Sequence, residues 1–214
     1  MSSRELILGK LRQRHEQPFP NSAAPTVYRP MVPLGDVSPE ALQSCFINES
    51  EKVGAVMHQV NGPEAAISTI LELLAEDKAV SCWEPAQIPL SGLAEALDAA
   101  NIARIGQDAN VRVGITGVEA ALAATGSVVV TSGSGRYRAT SLLPPVHIAV
   151  VKASRILPDL ESWWDAQKVA GLEKIRKHSN IVVITGPSRT ADIAMQLVMG
   201  MHGPREVHLV LLNN

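Results

Sequence analysis

The feature that most constrains this chain is its repeated passage from a short β-branched run to a stretch with helical spacing. Val53 to Val60 reads as a strand. Asn61-Gly62-Pro63-Glu64 then opens a helix, with proline in the first turn and an acid near the positive end of the dipole. Ile67, Ile70, Leu71 and Leu74 follow at i, i+3, i+4 and i+7, one apolar helical face. Ala79 to Cys82 and Ile102 to Ile105 are short strands around a helix carrying Leu93, Ala96 and Leu97, which Ser91 can cap. The second half repeats the rhythm. It predicts strand Val111 to Thr116, helix Gly117 to Ala124, strands Ser127 to Ser132 and Val146 to Val151, and a helix from Asp159 to about His178 with Leu160, Trp164, Leu172 and Ile175 inward. Strand Ile181 to Thr185, helix Ala191 to Met201 and strand Glu206 to Leu212 complete it. Such alternation predicts an α/β fold, a mainly parallel twisted sheet with helices on both faces, which binds ligands at the carboxyl ends of its strands.

The 214 residues suffice for one large domain with its own core. Residues 1–35 read separately, as a weakly amphipathic helical arm (residues 4 to 14) and a linker with prolines at 18, 20, 25, 30 and 33; residues 36–214 form the α/β domain. The arm is either a lightly packed terminus or a docking element for a partner. A formal charge of −2, from 19 basic and 21 acidic side chains, gives no global field for nucleic acid or an anionic membrane, so any anion site must be local. No apolar run approaches the ~20 residues of a membrane span. Two distant cysteines, and Arg4 and Glu5 where a secretory leader needs apolar residues, point to the cytoplasm.

Three glycine-containing turns follow strands. The first is Gly114-Ile115-Thr116-Gly117. The second, Thr131-Ser132-Gly133-Ser134-Gly135-Arg136, lacks the third glycine and the following helix of a dinucleotide loop; Arg136 and Arg138 there either hold an anion or form a solvated hairpin tip. The third, Thr185-Gly186-Pro187-Ser188-Arg189-Thr190, reads as a strand running into a helix, with Asp192 in the first turn. Free N–H groups and Arg189 there suit a phosphate or carboxylate, although plain N-capping needs the same hydroxyl. The same residues half match the G-x-S-x-G nucleophile elbow, but Thr190 stands in place of the closing glycine. The six histidines show no metal-ligand spacing, and His147 and His202 read as structural or capping residues. Two cysteines are half of what an iron–sulfur cluster usually takes, so no metal or cofactor is expected in this chain.

The stretches GITGVEAALAATGSVVV (114–130), LPPVHIAVV (143–151), TGPSRTADI (185–193) and GMHGPREVHLVLL (200–212) resemble the LUD-domain family of the lactate-utilisation protein C type. The resemblance covers the carboxyl-terminal half, and TGPSRTADI with the later His-Gly-Pro is its specific part. It implies a fold similar to the ribose-phosphate isomerase, glucosamine-phosphate deaminase and CoA-transferase group. It also implies a place in a system that oxidises lactate to pyruvate, with the iron–sulfur clusters in partner proteins. The family pattern often carries acids where this chain has Ala124 and Ala194.

Thr116, Gly117, Glu119, Thr125, Gly126, Gly133, Gly135, Gly186, Ser188, Arg189, Thr190, Asp192 and His202 are therefore the candidates for holding a small anionic ligand, with Glu119 and Asp192 the acids available for proton transfer. No catalytic residue is assigned. Two functions fit: an accessory or ligand-binding subunit of a lactate-oxidising system, or a stand-alone enzyme acting on a phosphorylated or CoA-linked small molecule.

Overall fold

The computed structural model describes residues 3–15, 31–106, 108, 110–191 and 197–213. Helix α1 (Ser3–His15) covers the predicted arm, and Leu6, Ile7 and Leu11 on it are exposed. Helix α2 (Pro39–Lys52) begins at Ser38, whose Oγ accepts from Ala41 N, and buries Leu42 and Phe46. Then come β1 (Val56–Asn61), α3 (Gly62–Leu74), β2 (Ala79–Cys82), α4 (Leu93–Ala99), β3 (Ala103–Ile105) and β4 (Val113–Gly117). Farther on are β5 (Ala120–Leu122), β6 (Ser127–Ser132), β7 (Val146–Lys152), β8 (Ile156–Leu157), α5 (Leu160–Val169), α6 (Glu173–Lys177), β9 (Asn180–Ile184), β10 (Arg189–Ala191), β11 (Leu197–Met199) and β12 (Glu206–Asn213).

Six strands form one sheet in the order β1-β12-β7-β4-β2-β3, and every neighbouring pair in it is parallel. The central strands are apolar almost throughout, as a parallel sheet covered on its faces requires: all five residues of β4 and the first six of β7 are buried. The chain runs from β2 outward to β3 and then returns to place β4 on the other side of β2. This puts a topological switch point between β2 and β4, where the carboxyl ends of the strands leave a crevice.

The predicted α/β class, with its mainly parallel sheet, holds, but four local readings do not. Gly117 to Ala124 is no helix. Ala120–Leu122 pairs antiparallel with β6 in a second sheet of order β8-β5-β6-β9, and a 3₁₀ turn takes Ala123–Thr125. Burial between two layers suits these small side chains and overrides the helix propensity of alanine. The helix predicted from Ala191 to Met201 is replaced by an antiparallel pair, β10 with β11; Asp192 and Ala194 lie outside the described residues. The long helix from Asp159 is interrupted at Gly171 (φ +81°) and splits into α5 and α6. Trp163 rather than Leu160 is its buried residue. Helix α2 has no counterpart in the sequence reading, and its carboxyl end at Val53 takes the first residues assigned to a strand.

Candidate functional site at the carboxyl edge of the sheet

Beyond β2 the ladder extends by one bond, Trp83 N to Ile115 O at 3.2 Å, and Glu84 N then donates to Gly135 O at 2.9 Å. Gly117 ends β4 against the segment after Glu84: a Cβ there would stand 2.9 Å from Gln87 O, so only glycine allows this approach. Past Gly117, Glu119 N donates to Val129 O at 2.8 Å, which ties the crevice to the second sheet.

Into this crevice turns Arg136. Gly133 and Arg136 exchange backbone hydrogen bonds of 3.1 and 3.0 Å in a tight turn, with Gly135 at φ +69°. The Arg136 side chain is 24% exposed, not a solvated tip. Its Nε donates to Gln87 Oε1 at 2.8 Å, and its Nη1 donates to Thr131 Oγ1 at 2.7 Å and Glu119 Oε2 at 3.1 Å. The guanidinium also lies 5.6 Å from the Trp83 ring centroid, a cation–π contact. Among the described residues nothing bonds Arg136 Nη2 or Glu119 Oε1, yet neither is a buried orphan, so both are open to solvent. His178, which precedes β9, stands with Nδ1 3.9 Å from where a Cβ of Gly133 would lie. Burial pushes its imidazole below the ordinary histidine value, the Arg136 charge pushes the same way, and the Glu119 carboxylate and Ser132 carbonyl pull back. Arg155 Nη1 reaches Glu119 O at 3.4 Å. Beside Trp83 opens a cleft of about 260 Å³, lined by Cys82, Glu84, Arg104 and Tyr137 among others. Tyr137 Oη donates to Glu84 Oε1 at 3.5 Å.

The thirteen candidates from the sequence divide. Glu119, Gly133 and Gly135 stand with Arg136 at the crevice. Gly117 borders it only as backbone. Thr116 is fully buried, its Oγ1 2.9 Å from His147 Nε2.

Of the others, Asp192 lies outside the described residues, and Gly126, Gly186 and Arg189 reach the carboxyl end of α2. Hydroxyls of Thr125, Ser127 and Thr185 form a chain with 2.8 Å steps. Gly126 abuts Ser50 N, and Gly186 stands so close to Val53 O that a Cβ there would clash with it. Arg189 Nη2 donates to Val53 O at 2.8 Å, placing its charge on the negative end of α2. Ser188 N donates to Pro204 O at 2.8 Å, and Ser188 Oγ accepts from His202 N at 3.4 Å. Thr190 pairs with Val198 in the β10–β11 ladder. Among the described residues no helix begins here and Arg189–Ala191 is strand, so the helix-entry argument for an anion at Ser188-Arg189-Thr190 does not apply.

Sequence reasoning did not select Gln87, Thr131 or His178: Thr131 headed the second glycine-containing turn, His178 closed a predicted helix, and Gln87 carried no signal.

Together these features define a parallel α/β domain with a charged crevice at its switch point. A family model described as the LUD domain matches residues 44–212, and the chain belongs to that family. It is 39% identical over 104 residues to a lactate utilization protein C of Exiguobacterium sp., covering 48% of this chain and 44% of that protein. It is 40% identical over 102 residues to the protein of the same name from Bacillus subtilis, covering 48% and 42%. The chain thus spans less than half the length of these relatives. A solved DUF162 family protein from Deinococcus radiodurans shares the fold with a TM-score of 0.58 at 18% identity, over 83% of this chain and 99% of that one. Among the described residues no helix is long and apolar enough to cross a membrane, and no three His, Cys, Asp or Glu side chains group as metal ligands.

Proposed function

We propose that this chain serves a lactate-utilisation system in the cytoplasm as a ligand-binding, accessory component, and that its ligand is a small carboxylate held at Arg136. The observation that carries this reading is the open Nη2 of a guanidinium fixed on its other two nitrogens, at the switch point of a parallel sheet. An arginine so held is pre-organised to receive a carboxylate oxygen without first losing side-chain freedom. The names of the relatives supply the pathway, lactate utilisation. Two cysteines fall short of the four thiolates of a usual cluster, which supports iron–sulfur partner proteins as the redox centres.

The reading is tested by titrating the purified full chain with lactate by calorimetry, for wild type and Arg136→Lys. Saturable binding weakened at least tenfold by the substitution supports it; no heat at millimolar lactate, or equal binding by both proteins, overturns the site assignment. Recovery of iron-containing partners with a tagged chain from its native cytoplasm tests the accessory role.

A further inference from the structure

We infer that this chain pairs with a second copy of itself, helix α1 of each copy lying in the tryptophan-lined groove between α5 and β9 of the other.

Helix α1 needs a surface to pack on. It is 13 residues long, a length at which an isolated helix is marginal in water, and Gly9 near its middle lowers its propensity further. Every described side chain from Ser3 to Gln13 is exposed. Ile7, Leu8 and Leu11, at i, i+1 and i+4, form an apolar stripe, and Arg4 and Arg12 flank Leu8 one turn on either side. Such a stripe is stabilised by burial against another apolar surface.

The second sheet offers one. Between α5 and β9 runs a groove of about 430 Å³ lined by Leu160, Glu161, Trp163, Trp164 and Ile181. The two indole centroids stand 6.2 Å apart, the rings tilted by 45°. Strand β9 is the last of its sheet, and Val183, exposed on the same face as Ile181, carries the apolar surface on to that edge. Open apolar surface of this kind marks an interaction site, and tryptophan is enriched at the centre of such sites.

Charge decides which surface meets it. From Ser3 to His15 the chain carries four basic side chains and one acid, +3; the whole chain is −2, so the rest carries −5. The acids at the groove are Glu161, which lines it and enters no ion pair among the described residues, and Asp165 one turn on, more than half exposed beside Lys168. A basic stripe therefore fits an acidic rim. Residues 16–30 can span at most about 50 Å, enough to cross a domain of this size. Within one chain both surfaces stand open, whereas two copies cover each other's twice, in an isologous pair whose two contacts reinforce one another.

The test is sedimentation velocity on the full chain over a hundredfold range of concentration, for wild type and Ile7→Asp/Leu11→Asp, which changes exposed side chains alone. The expected result is a reversible dimer in the wild type and a dissociation constant raised at least tenfold in the variant. A charge exchange separates pairing from misfolding. Arg4→Glu/Arg12→Glu and Glu161→Lys/Asp165→Lys should each weaken the dimer severalfold, and an equimolar mixture of the two should dimerise again, because opposite charges then meet at both contacts. A wild type that stays monomeric overturns the inference, as does a dimer that Ile7→Asp/Leu11→Asp leaves unchanged. A mixture no tighter than its components overturns the pairing of arm with groove. A monomer whose tryptophan emission shifts to the red in Ile7→Asp/Leu11→Asp also overturns the dimer, since α1 then covers the groove of its own chain.

Discussion

His58 Nε2 lies 3.0 Å from His208 Nδ1, joining edge strand β1 to β12, and the ring centroids are 5.3 Å apart. The two imidazoles meet nitrogen to nitrogen, so the contact has room for one proton. Burial lowers the proton affinity of both. For His208 the charge of His58 is the next cause, Arg112 acts in the same direction, and Glu206 opposes. A histidine whose folded value lies below its unfolded value near 6.5 gives stability that is present above about pH 6.5 and lost as pH falls through the folded value. Protection factors of the amides of residues 56–60, taken against intrinsic exchange at each pH, are therefore expected to fall as pH drops below about 6.5, and His58→Gln should flatten that dependence. Protection factors unchanged between pH 7 and pH 5 in the wild type would refute this.

His147 carries the larger effect. It is fully buried on β7, Nε2 meets Thr116, Nδ1 has no partner among the described residues, and burial pushes its value down to about 4. Between about pH 6.5 and 4 the unfolded chain binds a proton that the folded chain refuses, and the integrated loss of stability is roughly 3 kcal/mol. Denaturant midpoints should fall over that range. His147→Leu should reduce the slope while costing about 1–2 kcal/mol at pH 7, since Thr116 loses its partner.

Arg189→Ala separates the two clusters. Removing a cation from the carboxyl end of α2 should cost about 0.3–1 kcal/mol, a shift of a few degrees at most, with lactate affinity unchanged. Lost binding in this variant would move the ligand site to the turn before β10.

Gly135→Ala tests how Arg136 is aimed. At φ +69° an alanine costs about 1–2 kcal/mol, and its Cβ would stand 2.7 Å from Glu84 Oε2. The expected outcome is a lowered melting temperature together with weakened lactate binding. Weakened stability with full affinity would show that the turn does not position the guanidinium.

The sheet was legible where local pattern and tertiary role agree. Val146 to Val151 and Glu206 to Leu212 read as buried strands because they are nearly continuous apolar runs, and both are central strands. Ala120 to Ala124 misled because alanine favours helices in isolation, whereas its state here is set by pairing with Val128 and Val129. Helix α2 was announced by Ser38 and Pro39, a cap followed by proline at the first helical position, a signal present but not used. Glu119 and the Gly133–Arg136 turn could be named from their motifs. The assembly around Arg136 could not, since Gln87, Glu119, Thr131 and His178 meet only when separate loops converge on the carboxyl edge.

The position of β12 between β1 and β7 has a consequence for how the protein is made. β12 is translated after every other strand of its sheet, yet β1 and β7 acquire a shared neighbour only through it. On the ribosome, β1 therefore waits with no strand to pair with, while β7 exposes an apolar edge of the kind that recruits other chains. The sheet closes only when its final segment is inserted between β7 and the edge strand β1, so any stall or cleavage before residue 206 leaves β1 cut off from the other four strands.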